Sequence, residues 1–393
     1  MSGIYIHIPF CKQACHYCDF HFSTSMKKKE EMVLALAKEI ELRSKNTPNS
    51  QLPTPNSEII ETIYFGGGTP SVLTIDDLRL IIDEVFKHYT VTDDPEITVE
   101  ANPDDLSSEL SFRGTRNLFE ELKAIRVNRL SIGIQSFFED DLKMMNRAHN
   151  AVEAKKCLEE AIKYFDNISL DLIYGISGMS NEKWIQNIET ALSFGIPHIS
   201  SYALTVEPKT ALHSFIQKGI IPAPDDEVAQ EHFEILVKKL EEAGFIHYEL
   251  SNFGKENYFS KNNSSYWLGK KYIGIGPSAH SYDGEKRGWN VSNNTLYIKS
   301  IQEGKLPIET EILTKTDRYN EYVMTGLRTI WGISLHRILT EFGQNYLDYL
   351  NQQSAKYIED HLLFVDENIL RTTRKGKFLS DGIASDLFML NLG

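Results

Sequence analysis

Cysteine is scarce in this chain, four among 393 residues, which is too few for a disulfide framework. No apolar run approaches the ~18 residues that would suggest a membrane span. The opening MSGIYIHIPFCKQACHYC has neither a basic segment nor an apolar stretch of signal-peptide length. These absences predict a soluble, cytoplasmic protein with at most peripheral membrane contact. Positive charge is also short. Lys and Arg number 41 against 55 Asp and Glu, a net charge of −14. That balance argues against nucleic acid as a partner, because its backbone calls for a clustered basic surface. The one dense basic run, Lys27-Lys28-Lys29, reads as a solvated helix start.

What remains is a globular composition, with 41% hydrophobic and 24% charged residues. The length allows two or three domains at roughly 100–200 residues each. Strand patterns fall at Gly3–Ile8, Glu61–Phe65, Glu96–Ala101, Arg129–Gln135, Ile168–Tyr174 and His198–Leu204. Helical patterns alternate with them at Lys28–Arg43, Ile75–Tyr89, Leu106–Ala124, Asp140–Tyr164, Asn181–Phe194 and Asp225–Ala243. Six βα units predict an α/β fold with a parallel sheet. They are too few for a closed eight-fold barrel and suit an open partial (β/α)6 barrel of TIM-like kind. Chemistry in such sheets sits at the C-terminal strand ends.

Ser44–Ser57 is a polar, proline-interrupted connector. Beyond Phe245 the rhythm changes, and residues 246–310 read as an accessory segment without a clear pattern. From 311 to 393, helices followed by a short hairpin suggest a small α-rich, winged-helix-like C-terminal domain. The barrel would then occupy residues 1–245.

Three of the four cysteines, Cys11, Cys15 and Cys18, lie within eight positions at the end of the first strand. Three thiolates on one loop can hold three irons of a [4Fe–4S] cubane and leave the fourth open. A structural zinc site normally takes four protein ligands, and would here have to recruit His16 or His21. Cys157 is far away on a helical pattern and reads as a small buried hydrophobe. Phe20, just after the cysteines, would shield the cluster sulfurs from water. Gly66-Gly67-Gly68-Thr69-Pro70 follows the second strand, where glycines let a ligand approach the backbone. It lacks the Lys and Ser/Thr continuation of a Walker-type phosphate loop. Glu100, Gln135, Asp171 and Tyr202 place a polar group at each remaining strand end, as in a lined cavity.

Taken in order, IHIPFCKQACHYCDF, YFGGGTP, VEANPDD, RLSIGIQSF, MNRAHN, DLIYG, YALTVEP and EYVMTGLRT resemble the radical S-adenosylmethionine superfamily. They are similar to one branch of it, the oxygen-independent coproporphyrinogen III oxidases and their relatives, the heme chaperones. The resemblance implies a [4Fe–4S] cluster on Cys11, Cys15 and Cys18, with S-adenosylmethionine chelating the open iron. It implies Tyr5 packing near the cofactor, and Gly67, Gly68 and Thr69 at the methionine end. Glu100, Gln135, Arg147 and Asp171 would contact ribose and carboxylate, with Ala203 near the adenine. Reduction by the low-potential cluster would release methionine and a 5′-deoxyadenosyl radical. A bland reading of Arg147 pairs it with Asp140 or Asp141 on one helix.

In the oxidases the motif continues to a fourth cysteine, a position held here by Phe20. They also resemble one another in an N-terminal extension for which this sequence has no room before its first strand. Both departures favour the heme-chaperone branch, with heme as cargo and hemoproteins as acceptors. The alternative is oxidative decarboxylation of coproporphyrinogen III. The chaperones resemble one another in an HNxxYW motif, which here reads Asn262-Asn263-Ser264-Ser265-Tyr266-Trp267. An asparagine amide is a poor iron ligand beside imidazole. Tyr266 and His280 are then the candidate heme ligands, and core packing is the plain reading of Tyr266 and Trp267.

Overall fold

The computed structural model describes residues 2–45, 59–106 and 117–390. The first half runs β1 (Ser2–Ile8), α1 (Lys29–Ser44), β2 (Ile60–Gly67), α2 (Ile75–His88), β3 (Val91–Ala101), α3 (Pro103–Leu106) and α4 (Leu118–Ala124). It continues with β4 (Arg129–Gln135), α5 (Glu139–Met144), α6 (Ala151–Ala161), β5 (Ile168–Tyr174), α7 (Asn181–Ser193), β6 (His198–Ala203), α8 (Ala211–Gln217) and α9 (Asp226–Glu242). Then come β7 (Ile246–His247), β8 (Asn252–Gly254), α10 (Lys261–Trp267), β9 (Tyr272–Ile275), β10 (His280–Tyr282), β11 (Lys286–Asn290), α11 (Asn294–Gln302) and β12 (Ile308–Ile312). The last part holds α12 (Lys315–Leu327), β13 (Ile333–Ser334), α13 (Leu335–Arg337), a π turn at Ile338–Phe342, α14 (Gln344–Glu359), β14 (Leu363–Asp366), β15 (Ile369–Thr372), α15 (Arg374–Lys377) and α16 (Ser380–Asp386).

Strands β1 to β6 pair in chain order and in parallel. This is the partial (β/α)6 barrel that the alternation predicts. β1 shows why it forms. Ile4, Ile6 and Ile8 are buried against the helices, while Tyr5 and His7 alternate to the opposite, inner face. Residues 246–312 do not form a separate layer. β8 adds antiparallel to β6 and β7 antiparallel to β8, while β9 adds parallel to β1, followed by antiparallel β10, β11 and β12. Among the described residues twelve strands thus make one sheet. A second core, built on Tyr319, Val323, Ile333, Leu350, Leu363 and Leu370, gathers α12, α14 and the antiparallel sheet of β13, β15 and β14. That is the α-rich C-terminal unit with its hairpin.

Two expected helices are corrected. The pattern Asp140–Tyr164 is broken into α5 and α6, because Asn146 turns left-handed at φ 56° and Asn150 caps α6 in a capping box with Glu153. The expected helix Leu106–Ala124 is interrupted at Asn117, which is extended and caps α4 from Leu118. Residues 107–116 lie outside the described residues, as does most of the Ser44–Ser57 connector. No helix among the described residues is long and apolar enough to cross a membrane.

A candidate cofactor site at the barrel mouth

The cysteine loop leaves β1 and is closed at its neck. Phe10 bridges Ser23, Cys11 N–H donates to Ser23 O at 3.1 Å, and Ser23 N–H returns to Pro9 O at 3.0 Å. The loop is also clamped from outside. His16 reaches the end of α5 through its backbone to Met145 O (3.1 Å) and its ring to Met144 O (2.8 Å). Gln13 donates to Asn146, and Asn146 donates back to Ala14 O at 2.7 Å. Leu212 N–H at the start of α8 donates to His16 O at 2.8 Å.

The glycine turn after β2 lies directly against this loop. Gly68 N–H donates to Ile8 O at 2.8 Å and Thr69 N–H to Phe10 O at 2.7 Å. Gly67 sits at φ 109°, and a Cβ on Gly68 would stand 2.6 Å from Phe10 O. These contacts require glycine. The Thr69 hydroxyl donates to Cys11 Sγ at 3.4 Å.

Arg147 is the residue that ties the loop to the strands. Its Nη2 donates to Asn102 Oδ1 (2.6 Å) and Gly133 O (2.8 Å), and its Nη1 to Cys15 Sγ (3.4 Å) and Tyr17 Oη (3.5 Å). It does not pair with Asp140 or Asp141; those carboxylates face Lys183. At the end of β4 the register slips between Gly133 and Gln135, and Gln135 takes φ 67°. Such a bulge with a left-handed non-glycine residue re-aims a side chain beside a site.

Two carboxyls face the same space. The Tyr64 hydroxyl donates to Glu100 at 2.7 Å, yet burial pushes the Glu100 carboxyl up to about 7. Burial raises Asp171 to about 6, against hydroxyls of Ser200 and Ser131 that favour its charge. Cys11 and Cys18 are each pushed up to about 11, first by burial. Thiols held protonated in this way ionise when a cation binds them.

A cavity of about 420 Å³ brings these groups together. It is lined by Cys11, Cys15, Cys18, Phe20, Gly67, Gly68, Thr69, Glu100, Gln135, Arg147, Asp171 and Ala203. Tyr5 is the exception among the expected residues. It lines an adjoining cavity of about 480 Å³ that shares Phe20, Gly67 and Glu100 with the first. Tyr202 lines the first cavity and is half exposed. Sequence reasoning missed Asn102, Tyr17 and Gly133, the partners of Arg147; the hidden signal was the break at Asn146 that frees Arg147 from a helix. Cys157 is buried in α6, as read, with its thiol pushed up to about 12 by burial. Asn262 is buried, and its Oδ1 accepts from Thr62 at 2.9 Å.

The radical SAM superfamily pattern matches residues 5–191, and the HemN C-terminal domain matches residues 313–379. Over 388 residues the chain is 36% identical to the heme chaperone HemW of Bacillus subtilis, covering 98% of each. The chain belongs to the radical SAM superfamily. Within it, the chain falls in the HemW family. The Mycobacterium tuberculosis HemW is 32% identical over 98% of this chain and 94% of its own length. The coproporphyrinogen III oxidase HemN of Escherichia coli superposes with a TM-score of 0.81 over 98% of this chain and 90% of its own, at 21% identity. That likeness fixes the fold.

Radical SAM membership implies a [4Fe–4S] cluster and S-adenosylmethionine, and the cavity fits both. Among the described residues its soft donors are three thiols without a fourth protein ligand. Among the described residues no three His, Cys, Asp or Glu gather round a single-ion site. The histidines that zinc would need are turned elsewhere, His16 to Met144 O and His21 to Asn294. For a zwitterionic ligand there is a buried guanidinium with an unpartnered Nε at Arg147, facing two carboxyls across the cavity. The glycine turn packs tightly on β1, where a Cβ on Gly67 would meet His7 and one on Gly68 would meet Phe10 O, and its backbone lines the cavity.

Proposed function

We propose that the protein is a heme chaperone of the radical SAM type, which binds heme and passes it to acceptor hemoproteins. The observation that carries this is the full-length identity to HemW, 36% over 98% of both chains, joined to Phe20 in place of a fourth cysteine. In this reading Cys11, Cys15 and Cys18 hold the [4Fe–4S] cluster. Gly67, Gly68 and Thr69 receive the methionine end of S-adenosylmethionine. Arg147 meets its carboxylate, Glu100, Asp171 and Gln135 its polar hydrogens, and Ala203 its adenine, with Tyr5 and Phe20 at the rim. When bound, the cluster supplies an electron at low potential. The chain's own residues bind, orient and dehydrate the ligand. Residues 1–245 act as the barrel, 246–310 as its accessory edge, and 311–393 as a C-terminal domain placed to meet an acceptor. The protein works in the cytoplasm, without nucleic acid.

Anaerobic, cluster-reconstituted protein would be given coproporphyrinogen III, S-adenosylmethionine and a strong reductant, and separately hemin with an apo-hemoprotein acceptor. Heme transfer without decarboxylated porphyrin is the expected result. Decarboxylated product would make the protein a coproporphyrinogen III oxidase and Phe20 a tolerated departure.

A further inference from the structure

The inner face of the sheet does not stop at β1. Register pairs carry it outward: Tyr5 stands opposite Tyr64 on β2 and Gly274 on β9, Tyr272 opposite Tyr282, and His280 opposite Trp289. Residues paired across a ladder, or two apart along it, share a face. Tyr5, Tyr272, Tyr282 and His280 therefore continue the surface that holds Glu100. Gly274 makes this bend possible, since a Cβ there would stand 2.0 Å from His280 O. The opposite face is locked. Ser281 accepts from buried Arg43 at 3.2 Å and Arg43 is paired with Glu39 at 2.8 Å. His280 is thus an exposed side chain on a backbone fixed from behind.

The cavity of about 480 Å³ under this face is walled by Tyr5, Phe20, Tyr266 and Tyr272. It lies within the roughly 300–1,000 Å³ of sites that bury cofactor-sized ligands. Three imidazoles reach it, and two are committed. His7 has Nδ1 on the Tyr5 hydroxyl (3.1 Å) and Nε2 on His21 O (2.9 Å). His21 has Nε2 on Asn294 (2.8 Å). Among the described residues the His280 ring makes no hydrogen bond. Asn262 is turned into the protein toward Thr62 and does not line the cavity.

We infer that His280 is the axial ligand of a heme iron, with the porphyrin held between Tyr272, Tyr5 and Phe20 in the cavity beside the cluster site. Neutral imidazole is a strong ligand for iron, and aromatic rings stack on a flat macrocycle. Phe20, which lines both cavities, then separates the porphyrin from the cluster sulfurs. The inference rests on the heme-chaperone reading.

The test uses cluster-loaded, anaerobic full-length protein and two probes, hemin and metal-free protoporphyrin IX. The wild type is expected to bind one equivalent of each. Exposed and outside the buried core, His280 tolerates substitution, and cluster content checks the fold of each variant. H280A should bind hemin at least about tenfold more weakly with a displaced Soret band, while protoporphyrin IX affinity stays within about twofold. H280M should recover hemin affinity with the spectrum of a thioether ligand. An unchanged Soret band in H280A would overturn the assignment, as would equal weakening of both probes, which would make His280 a wall. Loss of the band in Y266F instead would move the ligand to Tyr266. A wild type that binds neither probe would sink the heme reading itself, before any question of ligand.

Discussion

Arg147 Nη1 lies 3.4 Å from Cys15 Sγ, although 132 residues separate the two in sequence. One guanidinium thus bridges the cysteine loop and the strand ends, with its remaining donors on Asn102 and Gly133. Replacing it by methionine keeps the volume and removes both links. Arg147→Met is expected to weaken S-adenosylmethionine binding by about 1.5–3 kcal/mol, roughly tenfold to a hundredfold. Equilibrium dialysis on cluster-loaded protein reads this directly; unchanged affinity would remove Arg147 from the cofactor site.

Gly68 is held against two β1-side carbonyls, Ile8 O at 2.9 Å and Phe10 O at 2.6 Å from an added Cβ. Neither is a flexible side chain, so the turn must move. Gly68→Ala should cost about 1–3 kcal/mol and lower the iron retained per chain, because the turn carries Thr69 against Cys11. Urea midpoints and iron analysis check the two consequences separately.

In the apo protein Glu100 should contribute stability that is lost as pH rises from about 4.5 to about 7, while buried His7, His149 and His247, lowered by burial to about 4, 3 and 3, act the other way below about 6.5. Burial pushes Glu100 up to about 7 in the folded chain, from an ordinary carboxyl value of 4.5 when unfolded, so the folded chain binds the extra proton in that window. Asp171, raised to about 6, adds to the same trend. Stability from these groups is present below the unfolded values and fades through the folded ones. Glu100→Gln should remove this falling contribution from the slope and raise stability at pH 8 by about 2–3 kcal/mol. Chemical denaturation at pH 5, 6, 7 and 8 would show it, and an unaltered slope would place the titration elsewhere.

Glu39 and Arg43 form a buried pair, 0% and 2% exposed, shared with Asn290 and Tyr297. This network fastens β9 to β11 against α1. Arg43→Met leaves Glu39 charged and buried, a loss of about 3–5 kcal/mol, whereas exchanging both for apolar residues should cost far less. Thermal melts of the single and double variants distinguish these outcomes.

The six parallel strands were legible because alternation writes them into the sequence. Ile4, Ile6 and Ile8 point one way and Tyr5 and His7 the other, and the glycine turn and the cysteine spacing mark the strand ends. Arg147 was legible as a polar candidate and illegible in its partners. The run from Asp140 to Tyr164 has helical periodicity throughout, and only the Asn150–Glu153 cap and the left-handed Asn146 divide it. The edge strands were hidden for a different reason. β7, β8 and β10 are two or three residues long, so pairing with a neighbour defines them and no periodic pattern can. Asn262 was read by its motif position, and what decides its role is Thr62, 200 residues away.

The clamp around the cysteine loop has a consequence for the birth of the protein. Cys11, Cys15 and Cys18 leave the ribosome well ahead of the groups that shape their loop. Met144, Asn146 and Arg147 follow by 128 to 133 residues, and Asn294, which fixes His21, by 273. Contacts so distant in sequence close slowly. Until those residues have emerged, the three thiols lack the contacts that shape their loop. The socket for iron is thus shaped by residues that arrive far later than the sulfurs it presents.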